Sequence, residues 1–111
     1  MRFYITIILL FVSFQSLSYA GNEAANKLYE NGKYKQAFKA YLPLAEKDDP
    51  EAQDMVGMMY MLGVGTKKNY ALGSLWLSLA ARQGIDHARE TRDALIDEWK
   101  EDIIRDLTSL K

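Results

Sequence analysis

Apolar residues recur along this chain at intervals of three and four, and glycines interrupt the pattern at Gly32, at Gly63 and Gly65, and at Gly84. Such spacing places the apolar side chains on one face of an α-helix. No four-residue run shows the polar/apolar alternation, rich in branched residues, that a half-buried strand needs. The expectation is an all-α chain of about five or six short helices separated by glycine turns.

The individual segments give this expectation its boundaries. "EAANKLYENG" spaces Ala24, Leu28 and Tyr29 for one face and stops at Gly32, and "YKQAFKAYLPLAEKDD" places Tyr34, Ala37, Phe38, Tyr41 and Ala45 at helical intervals. Pro43 lies within the second segment and predicts a kink or an early end. Asp49-Pro50-Glu51 reads as a helix start: aspartate accepts from free backbone N–H groups, proline lacks a hydrogen that would be unsatisfied anyway, and both acids suit the positive end of the dipole. That helix is expected to reach Leu62. "GVGTKKN" then turns the chain into "YALGSLWLSLAARQG", which stops at Gly84. Beyond Asp86, Ala88, Leu95, Trp99, Ile103, Leu107 and Leu110 share one side of one long helix or two shorter ones, making the tail amphipathic.

The first twenty residues stand apart. Met1 and Arg2 precede an almost uninterrupted apolar run from Phe3 to Val12, and Ser18 and Ala20 are the small residues that a signal peptidase accepts. This is the pattern of a secretory signal peptide, residues 1–20, with cleavage expected after Ala20. A membrane anchor needs about 20 mostly apolar residues, and Ser13, Gln15, Ser16 and Ser18 interrupt the run sooner. Export to the periplasm or beyond is expected, without stable membrane insertion after cleavage.

Composition removes several classes of function. With no cysteine there are no disulfides and no thiolate ligands for zinc or iron–sulfur clusters. Loss of Arg2 leaves 13 basic and 15 acidic residues, a net charge near −2 without charge blocks, where nucleic acid would require a clustered basic face. The 91 residues from Gly21 make one small domain.

An internal period is visible. Ala25, Leu28, Tyr29, Gly32, Tyr34, Ala37, Tyr41, Ala45, Asp49-Pro50 and Ala52 stand at the offsets of a helix–turn–helix unit. This first unit resembles a degenerate tetratricopeptide-type repeat, residues 22–50. The next segment, "AQDMVGMMYMLGVGTKKNYALGSLWLSLAARQGIDHA", resembles a Sel-one-like repeat, residues 52–87. Its matching residues are Ala52, Gln53, Gly57, Met59, Tyr60, Gly63, Gly65, Tyr70, Ala71, Trp76, Ala80, Ala81, Gln83, Gly84 and Ala88, and the step from Ala52 to Ala88 equals the family's period. Gly73 replaces the usual alanine, Val56 the usual leucine, and Thr66 and Asn69 the usual valine and aspartate of the loop. One period on, Arg92, Asp93 and Ile96 break the pattern, so residues 88–111 are expected to form a capping helical tail. The resemblance implies a right-handed α-solenoid, without catalytic machinery or cofactor, that offers a groove to another protein or peptide.

Candidate sites follow from what this pattern leaves over. Met55, Met58, Met61 and Leu62 are apolar where the family tolerates polar residues, so something apolar is expected to cover them. Internal packing is assigned to Met55, and partner contact to Met58 and Met61. With Glu51, Asp54 and Leu62 they make the candidate partner-binding set, and the loop from Val64 to Asn69 is expected to add rim contacts. An alternative is a methionine-rich copper-handling protein or small enzyme, since soft thioethers bind Cu(I); methionine also fills irregular helix contacts without any metal. Another is a structural homodimer.

The remaining candidates have simpler roles. "GVGTKK" lacks the preceding strand and the ending of a phosphate loop. His87, the only histidine, beside Asp86 at a helix start, is expected on the surface. Ser74 and Ser78 are expected to serve packing. Asp48, Asp49, Glu51 and Asp54 suit helix capping better than an acid/base pair.

Overall fold

A computed structural model of the protein describes residues 22–109, less the side chains of residues 106 and 107. The signal peptide, its cleavage point and the expected roles of Leu107 and Leu110 lie outside what is described. Six helices follow one another: α1 over residues 22–30, α2 Tyr34–Glu46, α3 Pro50–Leu62, α4 Tyr70–Arg82, α5 Asp86–Glu98 and α6 Lys100–Thr108. No strand occurs among the described residues. The fold is all-α, as the periodicity implies.

Three of the turns close in the same way. After α1, the amide of Gly32 donates to the Tyr29 carbonyl and that of Lys33 to the Leu28 carbonyl. Asp48 and Asp49 repeat the pair on Ala45 and Leu44, and Gly84 and Ile85 repeat it on Ala81 and Ala80. This double bond pattern satisfies helix-end carbonyls when the residue after the helix takes a left-handed conformation. Gly32 and Gly84 have positive φ, and Asp48 adopts φ 68°, a region that aspartate tolerates better than most residues with a Cβ. The α3/α4 connection is different and longer. Gly63 ends α3 at φ 68°, and Val64 donates to the Met59 carbonyl before the chain crosses to Asn69.

Helix starts are equally local. The Asp49 carboxylate accepts from the Ala52 amide at 3.0 Å, with Pro50 in the first turn, and the Asn69 side chain accepts from the Leu72 amide at 3.0 Å. Asparagine thus caps α4 as aspartate caps α3. Pro43 does not end α2, which continues to Glu46 with the proline exposed. The tail is two helices, separated at Trp99.

Neighbours in sequence are neighbours in space: α2 packs on α3, α3 on α4, α4 on α5 and α5 on α6. Two apolar cores result. The first gathers Ala25, Ala37, Tyr41, Ala45, Ala52, Val56 and Met59, with Phe38, Tyr60, Val64 and Trp76 against it. The second gathers Met61, Tyr70, Leu77, Ala80 and Ala88, closed by Leu95, Ile96, Trp99 and Ile103 from α5, α6 and their junction. Helix α3 contributes to both.

Close approach of α3 to α4 depends on two glycines. A Cβ at Gly57 would meet Leu77 Cγ at 2.7 Å and its backbone nitrogen at 2.9 Å; a Cβ at Gly73 would meet Met61 Cγ at 2.5 Å. Each large side chain sits over the other helix's glycine. Gly73 is the residue that makes room for Met61.

A polar clamp ties the α2/α3 corner to the end of α4. Gln53 is fully buried, and its amide donates to the Ala45 carbonyl at 3.2 Å. The Gln83 amide donates to the Gln53 side-chain oxygen and to the Asp48 carbonyl, both at 2.9 Å. In the first core the Tyr41 hydroxyl donates to the Asn26 side-chain oxygen. Burial, reinforced by neighbouring Tyr29 and Glu30, pushes the Tyr41 phenol up from 10.0 to about 12.

Candidate partner-binding face

Helix α3 has no basic residue, and its positions 51, 54, 55, 58 and 62 fall along one face at helical intervals. Glu51 is exposed, Asp54, Met55 and Met58 are half-buried, and Leu62 is 39 % exposed. This strip is where chain-internal packing leaves apolar surface beside carboxylates.

Met61 is not part of it. Its side chain is fully buried in the second core, against Gly73. The expectation that Met61 meets a partner is corrected: the only way to reach it is to part α3 from α4. Met55 packs on the first core, as expected, and Met58 packs on the edge of the second while remaining partly accessible.

The methionine cluster of the sequence is thereby divided. Met55 and Met59 serve one core, Met58 and Met61 the other. A Cu(I) site needs soft ligands converging on one point, and these thioethers are shared between two apolar clusters on different sides of one helix. Among the described residues, no group of three or more His, Cys, Asp or Glu side chains is placed to hold a metal ion.

Asp54 has a neighbour that sequence reasoning missed. His87 Nε2 lies 2.8 Å from Asp54 Oδ2, joining the start of α5 to the middle of α3. The histidine remains 66 % exposed, as its position at a helix start implied, while Asp54 is largely covered and its Oδ1 is buried without a hydrogen-bond partner. The 33-residue separation carries no local signal.

The loop contributes less rim than expected. Val64 packs on the first core, and a Cβ on Gly65, at φ 74°, would collide with the Tyr34 carbonyl oxygen. Val64, Gly65 and Thr66 are half-buried, leaving Lys67, Lys68 and Asn69 exposed. Lys68 Nζ stands 5.2 Å from the Trp99 ring centre and 5.8 Å from that of Tyr70, within the range of a cation–π contact. Ser78 donates to the Ser74 carbonyl at 2.7 Å and accepts from Arg92 at 2.8 Å, so this hydroxyl links α4 to α5.

No protein-family model matches the chain, and neither a curated protein nor a solved structure matches it. Among the described residues, no helix is long and apolar enough to cross a membrane.

Proposed function

We propose that this protein is an exported adaptor that receives a segment of another protein or a peptide along the outer face of α3. The observation that carries the reading is the strip of Glu51, Asp54, Met58 and Leu62, where apolar and acidic side chains stand together without full cover from the rest of the chain. Methionine adapts its shape to varied apolar partners, which suits a receiving surface.

Three further observations support a helical-repeat array of the tetratricopeptide and Sel-one-like kind. The hairpin turns close with one recurring bond pattern, the helices pack in sequence order, and the longer loop falls in the middle of the second unit. In this reading residues 22–50 and 52–87 are the two units, the array is right-handed, and the tail from residue 88 caps its open end. The apolar run and small residues of the first twenty positions support export to the periplasm. No catalytic role is assigned to the chain.

Crosslinking in the native cells, followed by mass spectrometry of the copurifying proteins, tests the reading. A partner captured by the natural chain and lost with Met58→Glu plus Leu62→Glu, at unchanged helicity, supports it. A partner retained by that folded variant excludes this face.

A further inference from the structure

Three sides of α4 are taken up within the chain. Gly73, Leu77 and Ala80 are buried against α3 and in the second core. Trp76 packs on the first core, and the Ser78 hydroxyl holds Arg92 of α5. The fourth side carries Leu72, Leu75 and Leu79, which spacings of three and four bring into one stripe. At about 100° per residue this stripe points away from Gly73 and Leu77.

None of the three leucines belongs to either core. Leu72 is 37 % exposed and Leu75 52 %, while Leu79 is half-buried. The other large apolar side chains exposed among the described residues, Tyr34, Leu62 and Ile104, stand one to a helix. From Tyr70 to Ala81 the helix carries no carboxylate, lysine or arginine, and its only charge is Arg82 in the last turn. A contiguous apolar stripe without charge is the kind of surface that association removes from water.

Two features of the stripe identify its occupant. It offers nothing by which a charged partner could be selected, so what fits it is another uncharged apolar stripe, which the α4 of a second copy supplies. Its spacing is also unchanged by reversal: turning α4 end for end about a point between Leu75 and Trp76 exchanges Leu72 with Leu79. A two-fold axis through that point lays each leucine against a leucine of the other copy. Parallel pairing would set the two Arg82 side chains side by side, whereas antiparallel pairing holds them about 20 Å apart and opposes the two helix dipoles.

We infer that two copies of this chain pair through α4, antiparallel across a two-fold axis beside Leu75. The two Leu75 side chains meet at the axis, and Leu72 of each copy meets Leu79 of the other. The contact joins like surfaces, so it closes at two copies instead of propagating. One pair of 13-residue helices buries less than the extensive interfaces of permanent dimers, so the pair forms and dissociates with concentration. The stripe shares no residue with the adaptor face on α3 and does not depend on that reading.

Sedimentation of the protein as its cells accumulate it tests the pairing. Between about 1 μM and about 1 mM, the range of weak complexes, the weight-average mass should rise from that of one chain towards that of two and no further. The rise should persist at about 0.5 M salt, because no ion pair crosses the contact. Leu75→Lys sets two ammonium groups against each other at the axis and should stay monomeric throughout; Leu75→Ser replaces it if circular dichroism shows a loss of helix. The chain has no cysteine, so single cysteines report the orientation. With a short bismaleimide, Leu75→Cys should crosslink to itself, whereas Leu72→Cys should crosslink strongly only when mixed with Leu79→Cys. A natural chain that stays monomeric at about 1 mM overturns the inference, as does pairing that folded Leu75→Lys leaves intact, or a Leu72→Cys that prefers itself to Leu79→Cys. Crosslinking of Leu75→Cys in cells to a different protein, with the purified chain monomeric, also overturns it and gives the stripe to that partner.

Discussion

Met61 lies over Gly73 so closely that a Cβ on residue 73 would stand 2.6 Å from the methionine sulfur and 3.0 Å from the Gly57 carbonyl oxygen. Alanine at 73 would gain up to about 1 kcal/mol in helix propensity. Overpacking of a filled contact costs typically about 1–3 kcal/mol. Gly73→Ala should therefore destabilise the natural chain, and should cost less in a Met61→Ala background, where only the tight approach to the Gly57 carbonyl oxygen remains. Urea unfolding of the four members of this cycle measures the coupling.

Met58 and Met61, three positions apart on α3, should separate cleanly. Met61→Glu places a carboxylate in an apolar core, which is among the few changes large enough to unfold a small domain. Met58→Glu, at a half-buried position, should keep the helical circular dichroism signal while weakening partner capture. Comparable loss of helicity in both would show that Met58 belongs to the core as firmly as Met61.

Gln53 and Gln83 should behave as one unit. Gln53→Ala opens a cavity and leaves the buried Ala45 carbonyl without its side-chain donor, a loss on the order of 1–3 kcal/mol. Gln83→Ala should cost less, because its side chain is exposed. The double variant should be less destabilised than the sum of the two, since each single change already removes their shared bond.

Tyr41 gives a dependence on alkaline pH. The folded chain holds the phenolic proton more tightly than the unfolded chain, whose tyrosine titrates near 10. The resulting stabilisation is complete below pH 10 and is lost as the pH rises through about 12. Thermal melts across that window should fall more steeply for the natural chain than for Tyr41→Phe. Near neutrality the variant should be the less stable, having lost the bond to Asn26.

Local signals made the helix ends readable. Asp49-Pro50 and Gly63 bound α3, and Gly84 follows α4 by two residues, because caps and left-handed turns depend on side chains within a few positions. The division of the methionines was not readable. Apolar residues surround α3 on more than one side, so periodicity identifies a helix without telling which neighbour each side chain faces. The resemblance to Sel-one-like repeats points Met61 at a partner, because polar residues are tolerated at that position there, whereas in this chain the absent Cβ of residue 73 opens a socket for it. Gln53–Gln83 and Asp54–His87 were hidden for another reason: contacts 30 and 33 residues apart arise only when hairpins stack.

Helix α3 lends Val56 and Met59 to one core and Met61 to the other. Neither half can melt without stripping a wall from its neighbour. The domain should therefore lose its structure in a single cooperative step, and a deletion that ends before Leu62 removes two interiors at once.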